Sequence, residues 1–295
     1  MTSPVNINSY NFYGEYRGHK ISHLKTLLYC LKQLNQQRNY IYLAGDSSLD
    51  NKYWLSNDEF LPAVSDYQYI LDPPIMKPDI AYHMNKLLSG TNYCTINTSI
   101  EESTISSRKN GLLEQDKFIK ENITSRDILI VSVGGNDIAL SPTVNTMWNM
   151  VLMMYMNSTE TIQKGPSYAW GMNYFIDMFH NEVKKYILQI IGDKRPKKII
   201  PCMIYYPDQK PNGSWADVAL SHLGYDTDPA KLQAAINQIF IHATSNIKID
   251  GSEVIPFPMF KILNGKFTDD YVQRVEPSSK GGAKLAQAFV KCCFE

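Results

Sequence analysis

A short apolar run that ends in Gly-Asp-Ser constrains this chain most. Residues 41–47 read Ile-Tyr-Leu-Ala-Gly-Asp-Ser. A buried strand that ends in such a turn can present a hydroxyl, here that of Ser47, at the carboxyl edge of an α/β sheet. A second apolar run, residues 128–137, reads Ile-Leu-Ile-Val-Ser-Val-Gly-Gly-Asn-Asp. It predicts another strand that brings backbone N–H groups and a side-chain amide to a sheet edge.

The rest of the chain alternates short apolar runs with longer amphipathic stretches. The apolar runs predict strands at 40–44, 92–97, 127–133, 198–204 and 253–257. Helical spacing of apolar residues predicts helices at 20–38, 77–89, 109–122, 144–156, 171–192, 229–247 and 279–292. This alternation is typical of a parallel sheet covered by helices on both faces. We therefore predict an α/β fold, a three-layer α/β/α sandwich whose central, mostly parallel sheet has about five strands.

The chain shows no internal repeat and no clear domain boundary. Its 295 residues fit one large α/β domain. Residues 1–17 are polar and aromatic and predict an arm laid over the domain. Residues 45–91 contain four prolines and several tyrosines, and they predict an elaborated loop region over the ligand crevice. We therefore predict a single domain over residues 1–295.

Charge and cysteine content exclude several classes of protein. Lys plus Arg equals Asp plus Glu at 29 each, so the chain lacks the basic footprint of a nucleic-acid-binding protein. Its five cysteines form no C-x-x-C pair, which indicates reduced, mostly buried thiols. No signal peptide is visible, and the longest apolar run, 147–156, is shorter than the ~20 residues of a membrane span. These features predict a cytoplasmic protein without integral membrane association.

The two turns together resemble a known family. Gly45-Asp46-Ser47-Ser48 followed by Gly134-Gly135-Asn136-Asp137 resembles the GDSL, or SGNH, hydrolase superfamily of serine esterases and lipases. The resemblance implies that Ser47 is the nucleophile and Asn136 an oxyanion donor, with Asp46 and Gly135 near them. An amide aimed at a developing oxyanion contributes about 3 kcal/mol to such a reaction. Each motif alone also fits a capped turn.

The second motif of the family departs in this sequence. The stretch from Asn97 aligns with the family pattern so that Glu102 stands where the resemblance implies an oxyanion glycine. Any residue other than proline has a backbone N–H, so the donor survives. A carboxylate near a forming oxyanion is nevertheless repulsive, by about 1–4 kcal/mol near a surface. We therefore expect either that Glu102 points away or that the site is not built for an oxyanion.

The last motif departs further, because no histidine follows His242. Glu276 takes the position of the family's aspartate and Ser279 that of its histidine. Three candidates for the general base remain: His222, after the fourth predicted strand, and Glu276 or Glu102 if burial raises its pKa. His222 also fits an exposed helix end. Glu276 also fits an acid at a helix N-terminus.

Neither a metal nor a cofactor is expected. A metal site could be built only from Asp46, Asp50 and Asp137. This set includes no histidine, and its spacing matches no known metal-binding pattern. The methionine-rich helix predicted over 144–156 fits a lid or an acyl-binding wall, but a buried core helix is the more common explanation.

Two functions from different classes remain. The first is a serine ester hydrolase that acts on a small-molecule ester or acylated substrate with a non-standard base. The second is a catalytically silent relative that keeps the crevice as a binding site. The intact Ser47 and Asn136 favour the hydrolase, while Glu102 and Ser279 favour the binding protein. A third reading is that the motif match is coincidental, in which case Ser47 would be buried away from any pocket. The sequence leaves the substrate and the oligomeric state open.

Overall fold

The computed structural model of this protein describes residues 6–295. Their central feature is a sheet of six parallel strands with helices on both faces, which confirms the predicted fold class. In chain order the strands are β1 (Ile7–Asn8), β2 (Asn39–Gly45), β3 (Leu61–Pro62), β4 (Leu71–Asp72), β5 (Ile75–Met76), β6 (Tyr93–Asn97), β7 (Ile128–Ser132), β8 (Lys198–Met203), β9 (Glu253–Val254), β10 (Phe257–Pro258), β11 (Tyr271–Val272) and β12 (Glu276–Pro277).

The helices cover the two faces of this sheet. In chain order they are α1 (Ser9–Tyr13), α2 (Ile21–Leu34), α3 (Ile80–Leu87), α4 (Glu114–Asn122), α5 (Gly135–Ala139), α6 (Val144–Tyr155), α7 (Thr159–Gln163), α8 (Met172–Asp177), α9 (Val183–Ile191), α10 (Asp217–His222), α11 (Pro229–His242) and α12 (Ser279–Phe294). Within residues 6–295, no helix combines the length and the apolar character needed to cross a membrane.

The sheet has the order β10-β8-β7-β2-β6, with β9 also paired to β8. The five predicted strands are all present, but the last is divided in two. β9 pairs with the start of β8 and β10 with its end. Pro256 and Pro258 in this segment have no backbone N–H, and such residues are tolerated on an edge strand, where no further strand pairs.

Alternating side chains of the central strand serve two separate cores. Ile41 and Leu43 of β2 pack with α3 and α12 on one face. Tyr42 and Ala44 belong to the larger core on the other face, which α2, α4, α9 and α11 cover. Because both faces of each central strand are buried, the strands read as continuous apolar runs in the sequence.

Several helices differ in extent from the sequence prediction. The helix predicted over 109–122 begins only at Glu114, because Ser106–Arg108 forms a separate 3-10 turn whose Arg108 is buried. The predicted helix over 171–192 contains a π-helical turn, Met178–Glu182, between α8 and α9. The prediction that the methionine-rich helix α6 is a buried core helix is wrong, since its residues Trp148 and Tyr155 are 62 % and 63 % exposed.

The segment before α2 lies along the loop region that follows β2. Residues 1–5 of the predicted arm lie outside the described residues. β1 pairs in parallel with β4, and α1 follows directly. The backbone N–H of Gly18 then donates to the buried carboxylate of Asp50 at 2.9 Å. The segment is therefore connected to the region directly after Ser47.

Candidate active site

The strand order places the two sequence motifs beside one crevice. From β2 the chain crosses to β6 on one side, and β7 then pairs with the other side of β2. Parallel sheets bind ligands beyond the carboxyl ends of their strands at such a reversal of direction. Gly45 ends β2 and Gly134 follows β7, so both motif turns flank this crevice.

Gly45 allows the turn after β2 to lie against β7. Its φ is +131°, a backbone conformation that residues with a side chain rarely adopt. A Cβ atom on Gly45 would lie 1.7 Å from the carbonyl oxygen of Ser132. The Asp46 N–H donates to this oxygen at 3.0 Å, and the Ser132 hydroxyl lies 2.6 Å from Ser48 Oγ, whose own hydrogen is donated to Asp46. The turn is therefore fixed to β7 and holds Ser47 at the sheet edge.

Ser47 lines a cavity of about 490 Å³ beyond this edge. Asn136, Glu276 and His222 line the same cavity, so the structure brings together residues that are far apart in the sequence. Ser47 is nearly buried, but its accessible side belongs to this cavity. The position of Ser47 contradicts the reading in which the motifs match by coincidence, because that reading requires Ser47 to lie away from any pocket.

Two hydrogen-bond donors of the cavity lining, Asn136 Nδ2 and the backbone N–H of Ser47, are available to an oxyanion. Asn136 Nδ2 carries two hydrogens and donates one to the Ser103 carbonyl at 3.1 Å. The Ser103 hydroxyl in turn donates to the carbonyl of Gly45, so this loop lies against the end of β2. Among residues 6–295, the backbone N–H groups of Ser47 and Glu102 have no hydrogen-bond acceptor, and of the two residues Ser47 lines the cavity. An unpaired donor at a cavity edge can stabilise developing negative charge.

Glu102 has a backbone suited to glycine and a side chain directed to the N-terminal segment. Its φ is +58°, in the left-handed region that favours glycine, the residue that the family resemblance implies here. Its carboxylate accepts hydrogen bonds from the Tyr16 hydroxyl and the Arg17 guanidinium. The hydrogen bond from Arg17, followed by that from Tyr16, lowers the pKa of Glu102. Glu102 therefore points away from the cavity with its charge paired.

Glu276 reaches the cavity from a short hairpin. β11 and β12 pair in an antiparallel manner, with Val272 opposite Glu276. Between them Gln273 and Arg274 adopt φ values of +53° and +63°, which makes the turn tight. The alternative interpretation of Glu276 as an acid at a helix N-terminus is wrong, because Glu276 lies in β12 and α12 begins at Ser279. Only 2 % of Glu276 is exposed.

Arg274 anchors this hairpin to the neighbouring helix. Its guanidinium is fully buried and pairs with Asp217 at 2.9 Å and with Asp226 at 2.8 Å. On the other side of the turn, the Tyr205 hydroxyl donates to the carbonyl of Val275 at 2.6 Å. These contacts hold Arg274 and Val275, the two residues directly before Glu276, in place.

Three buried carboxyl groups lie close together around Ser47. The hydroxyl of Ser47 lies next to the Glu276 carboxyl, close enough to lower its pKa, and Glu276 Oε2 has no hydrogen-bond partner in the described chain. Burial, then the charges of Glu101 and Asp46, raise the pKa of Glu276 well above its ordinary value. Burial also raises the pKa of Glu101 to about 8 and that of Asp46 to about 6. Because like charges at short range oppose each other's ionisation, Glu276 becomes a stronger base that ionises at higher pH.

A buried ion pair adjoins the carboxyl groups. Asp50 and Lys52 are both fully buried, and Lys52 Nζ lies 2.6 Å from Asp50 Oδ1. The other oxygen, Asp50 Oδ2, accepts the backbone N–H groups of Gly18 and Glu101 at 2.9 Å each. After burial, the charge of Asp50 is the largest cause of the raised pKa of Glu101. The ion pair thus holds the loop that carries Glu101.

Two other predicted site residues have partners other than Ser47. His222 is an exposed residue at the end of α10, and its carbonyl accepts the hydroxyl of Tyr155. No hydrogen bond joins His222 to Ser47 within the described chain. Ser279 does not line the cavity; its hydroxyl lies 3.1 Å from Nε2 of His83 on α3.

Asp46, Asp50 and Asp137, the acidic residues of a possible metal site, are hydrogen-bonded to other groups of the protein. Asp137 accepts the backbone N–H groups of Ile105 and Ser106 at 2.7 and 3.0 Å, which fixes the loop after β6 to the start of α5. Asp46 accepts the backbone and hydroxyl hydrogens of Ser48. Over residues 6–295, no group of three or more His, Cys, Asp or Glu side chains is arranged to hold a metal ion.

Sequence reasoning missed Glu101 and Arg274. Glu101 is adjacent to Glu102, but the sequence gives no sign of which of the two is buried, because the loop after β6 has no regular period. Arg274 occurs two residues before Glu276 and reads as an ordinary surface residue. Its partners Asp217 and Asp226 lie about 50 residues earlier in the chain. No local sequence pattern therefore indicates that Arg274 is buried and paired.

Several solved esterases and lipases are similar to this chain, whereas no family model and no curated protein matches it. An extracellular lipase from Streptomyces rimosus is 12 % identical with a TM-score of 0.47, over 86 % of this chain and 99 % of the lipase. A phospholipase A1 from Streptomyces albidoflavus is 10 % identical with a TM-score of 0.45, over 86 % and 99 %. An acetylxylan esterase from Geobacillus stearothermophilus is 14 % identical with a TM-score of 0.42, over 86 % and 93 %.

The parallel strand order identifies the fold. The two motif turns lie where that order changes direction, between β2 and β7. The chain has a three-layer α/β/α fold with a parallel sheet. This agrees with the fold that the superfamily resemblance of the turns containing Ser47 and Asn136 implies. The fold identifies the crevice, while the chemistry has to be read from the side chains in it. We therefore base the functional interpretation on the cavity residues and not on the similar structures.

Proposed function

We propose that this protein hydrolyses ester bonds, with Ser47 as the nucleophile and Glu276 as the general base. One observation carries the proposal: the Ser47 hydroxyl adjoins the buried Glu276 carboxyl in a cavity that Asn136 also lines. A serine hydroxyl is a weak nucleophile until a neighbouring base accepts its proton. A carboxylate whose pKa is raised toward the working pH is better suited to that task than an ordinary one.

Acylation begins with attack of Ser47 Oγ on the ester carbonyl carbon. The Ser47 proton moves to the Glu276 carboxylate as the new C–O bond forms. The carbonyl oxygen becomes an oxyanion, and the Ser47 N–H and Asn136 Nδ2 are the donors available to it. When the intermediate collapses, the bond to the alcohol oxygen breaks and Glu276 returns the proton to the leaving alcohol.

Deacylation repeats these steps with water. Glu276, again a carboxylate, accepts a proton from a water molecule while the water oxygen attacks the acyl carbon on Ser47. The second intermediate uses the same donors. Its collapse breaks the bond to Ser47 Oγ, which regains the proton from Glu276, and the carboxylic acid leaves. The cycle consumes one ester and one water and needs no other reactant.

Glu276 is a better candidate for the base than His222. The Glu276 carboxyl is buried next to the Ser47 hydroxyl, whereas His222 is exposed at the end of α10. His222 is exposed and contributes to the cavity wall. We therefore assign the proton transfer to Glu276 and a place at the cavity mouth to His222.

The first test is covalent labelling by a fluorophosphonate, followed by intact-mass measurement. The reagent phosphonylates an activated serine and releases fluoride, so it reports the nucleophile without requiring the true substrate. We expect one adduct on the wild type and none on Ser47→Ala. The matched control is Ser221→Ala, which removes an exposed hydroxyl from the helix that borders the cavity and should label as the wild type does.

The labelling experiment also separates the two functions. An adduct that persists in Ser47→Ala contradicts the assignment of the nucleophile. The absence of an adduct between pH 6 and 9, in a protein that is folded by circular dichroism, contradicts the hydrolase and favours a binding protein on the same crevice.

A further inference from the structure

The cavity beyond Ser47 extends along two helices. It is lined by α11 from Leu232 to Ile239 and by α6 from Thr146 to Tyr155. A helix rises about 1.5 Å per residue, so contact from Leu232 to Ile239 covers about 10 Å. A fully extended chain advances about 3.6 Å for every three bonds, so about eight bonds fit along this length. An acetyl group would therefore occupy only the end of the cavity at Ser47.

The lining beyond the site is almost entirely apolar. It includes Met150, Phe175, Phe179, Leu220, Ile236 and Ile239. No lysine or arginine of the described chain lines it, and its acidic residues, Asp46 and Glu276, lie at the Ser47 end. A sugar or a charged group placed among these apolar side chains would lose its hydrogen bonds to water without replacement. Apolar cavities of this kind instead favour apolar ligands.

Helix α6 forms the wall between the cavity and solvent. Met147, Met150 and Met153 line the cavity, and methionine side chains adapt to irregular apolar shapes. Residues 138–159 contain no Asp, Glu, Lys or Arg. The Tyr155 hydroxyl joins this wall to α10 by its hydrogen bond to a backbone carbonyl. The methionines of α6 are therefore placed to contact a ligand as well as the core.

We infer that the substrate is an ester of an unbranched acyl chain of about eight or more carbons. The acyl chain lies along α6 and α11, and its carbonyl carbon lies at Ser47. This inference rests on the proposed function, because it assigns the substrate of the same serine. The alcohol part of the ester leaves through the opening and is not recognised by the apolar lining.

The kinetic test compares para-nitrophenyl esters of acetate, butyrate and octanoate, each below its aggregation limit. Burial of one CH₂ group contributes up to about fourfold to affinity. We therefore expect kcat/KM to rise at least about a hundredfold from acetate to octanoate, since full burial of six more CH₂ groups allows more. A kcat/KM for octanoate equal to or below that for acetate overturns the inference. Labelling of Ser47 in the same sample keeps the proposed function standing in that case.

A substitution inside the cavity tests where the chain lies. Ala235 on α11 is buried and lines the cavity, and Ala235→Phe fills part of it. We expect the octanoate-to-acetate ratio of kcat/KM to fall at least tenfold. The matched control is Ala230→Phe, the same substitution at an exposed position of the same helix, which should keep the wild-type ratio. An unchanged ratio in folded Ala235→Phe contradicts the proposed chain position.

A binding measurement keeps the inference testable without catalysis. Calorimetric titration of Ser47→Ala with dodecanoate and with acetate compares the two ligands directly. We expect dodecanoate to bind at least a hundredfold more tightly, and Ala235→Leu, a smaller substitution, to weaken its binding. Equal affinity for both ligands overturns the acyl-chain inference, even if labelling has established Ser47 as the nucleophile.

Discussion

At the scale of single residues, the unusual feature is a glutamate beside the serine where the family resemblance implies an aspartate and a histidine. A histidine side chain has an ordinary pKa close to neutral pH, so it can act as a base there. The pKa of a carboxyl group reaches neutral pH only when its surroundings disfavour the charged form. Here burial and the nearby Glu101 and Asp46 raise the pKa of Glu276. The pH dependence of the reaction therefore reports on the buried carboxyl groups.

The rate of hydrolysis should rise with pH. Glu276 accepts a proton only as a carboxylate, and its raised pKa means that this form gains population as pH rises through and beyond neutrality. We expect kcat/KM for para-nitrophenyl octanoate to increase between pH 6 and 9. Glu276→Gln should lose about 10³-fold in rate, together with the pH dependence. His222→Ala is the control, and a larger loss there than in Glu276→Gln would contradict the assignment of the base.

The backbone at Glu102 yields a second prediction. Glu102→Gly and Glu102→Ala both remove the hydrogen bonds to Tyr16 and Arg17, so their difference isolates the left-handed φ. We expect the glycine variant to have a free energy of unfolding about 1 kcal/mol greater than the alanine variant, because alanine is strained at φ +58°. Urea unfolding of both variants measures this difference. Equal stability would mean that the loop relaxes to another conformation.

At the scale of elements, the β11–β12 hairpin decides whether Glu276 reaches Ser47. The hairpin is too short to be stable alone. Its position depends on Arg274, whose buried guanidinium pairs with Asp217 at the start of α10 and with Asp226 after it. The hairpin that carries Glu276, the proposed base, and the helix that lines the cavity are therefore connected through one side chain.

Removal of this connection should affect stability and reactivity together. We expect Arg274→Met to lower the free energy of unfolding by about 3 kcal/mol, because two carboxylates lose their partner. Labelling by the fluorophosphonate should also slow, since Glu276 loses its fixed position. Arg126→Met, at an exposed position, is the control and should change stability by less than about 0.5 kcal/mol. Normal labelling in folded Arg274→Met would show that the hairpin holds its position without Arg274.

At the scale of the whole molecule, buried carboxyl groups couple folding to pH. Burial is the main cause of the raised pKa of Asp46, to about 6, of Asp79, to about 7, and of Glu101, to about 8. A carboxyl whose pKa is higher in the folded state than in the unfolded state holds its proton more tightly when folded. The stability from these groups is complete below about pH 4, the ordinary carboxyl range, and decreases as pH rises.

We therefore expect the free energy of unfolding to fall between pH 5 and 9, while the proposed activity rises. The measurement is urea unfolding across this range. Asp79→Asn is a matched control, because asparagine can still accept the Tyr82 N–H at the start of α3 but does not titrate there. Its stability should fall less steeply with pH. Stability that increases from pH 5 to 9 in the wild type would contradict the raised pKa values.

Much of the fold was predictable because it depends on local patterns. Strands buried on both faces appear as apolar runs, and the five predicted strand positions were confirmed. The glycine turns at Gly45 and Gly134 follow those strands directly, so the parallel order brings Ser47 and Asn136 to one edge. The exposed side of α6 was not predictable, because a methionine-rich helix reads the same whether it borders a core or a cavity.

The sequence by itself determined the layered fold and the pairing of Ser47 with Asn136, since each lies next to a strand whose position the apolar pattern specifies. Only the tertiary structure shows which of His222, Glu276 and Glu102 is buried next to the serine, and it is Glu276 that we propose as the base. These residues lie on loops or element ends, and their orientation depends on contacts with chain segments far away in sequence. The buried Arg274 pairs direct the hairpin of Glu276 toward the cavity, and Arg17 draws Glu102 away from it.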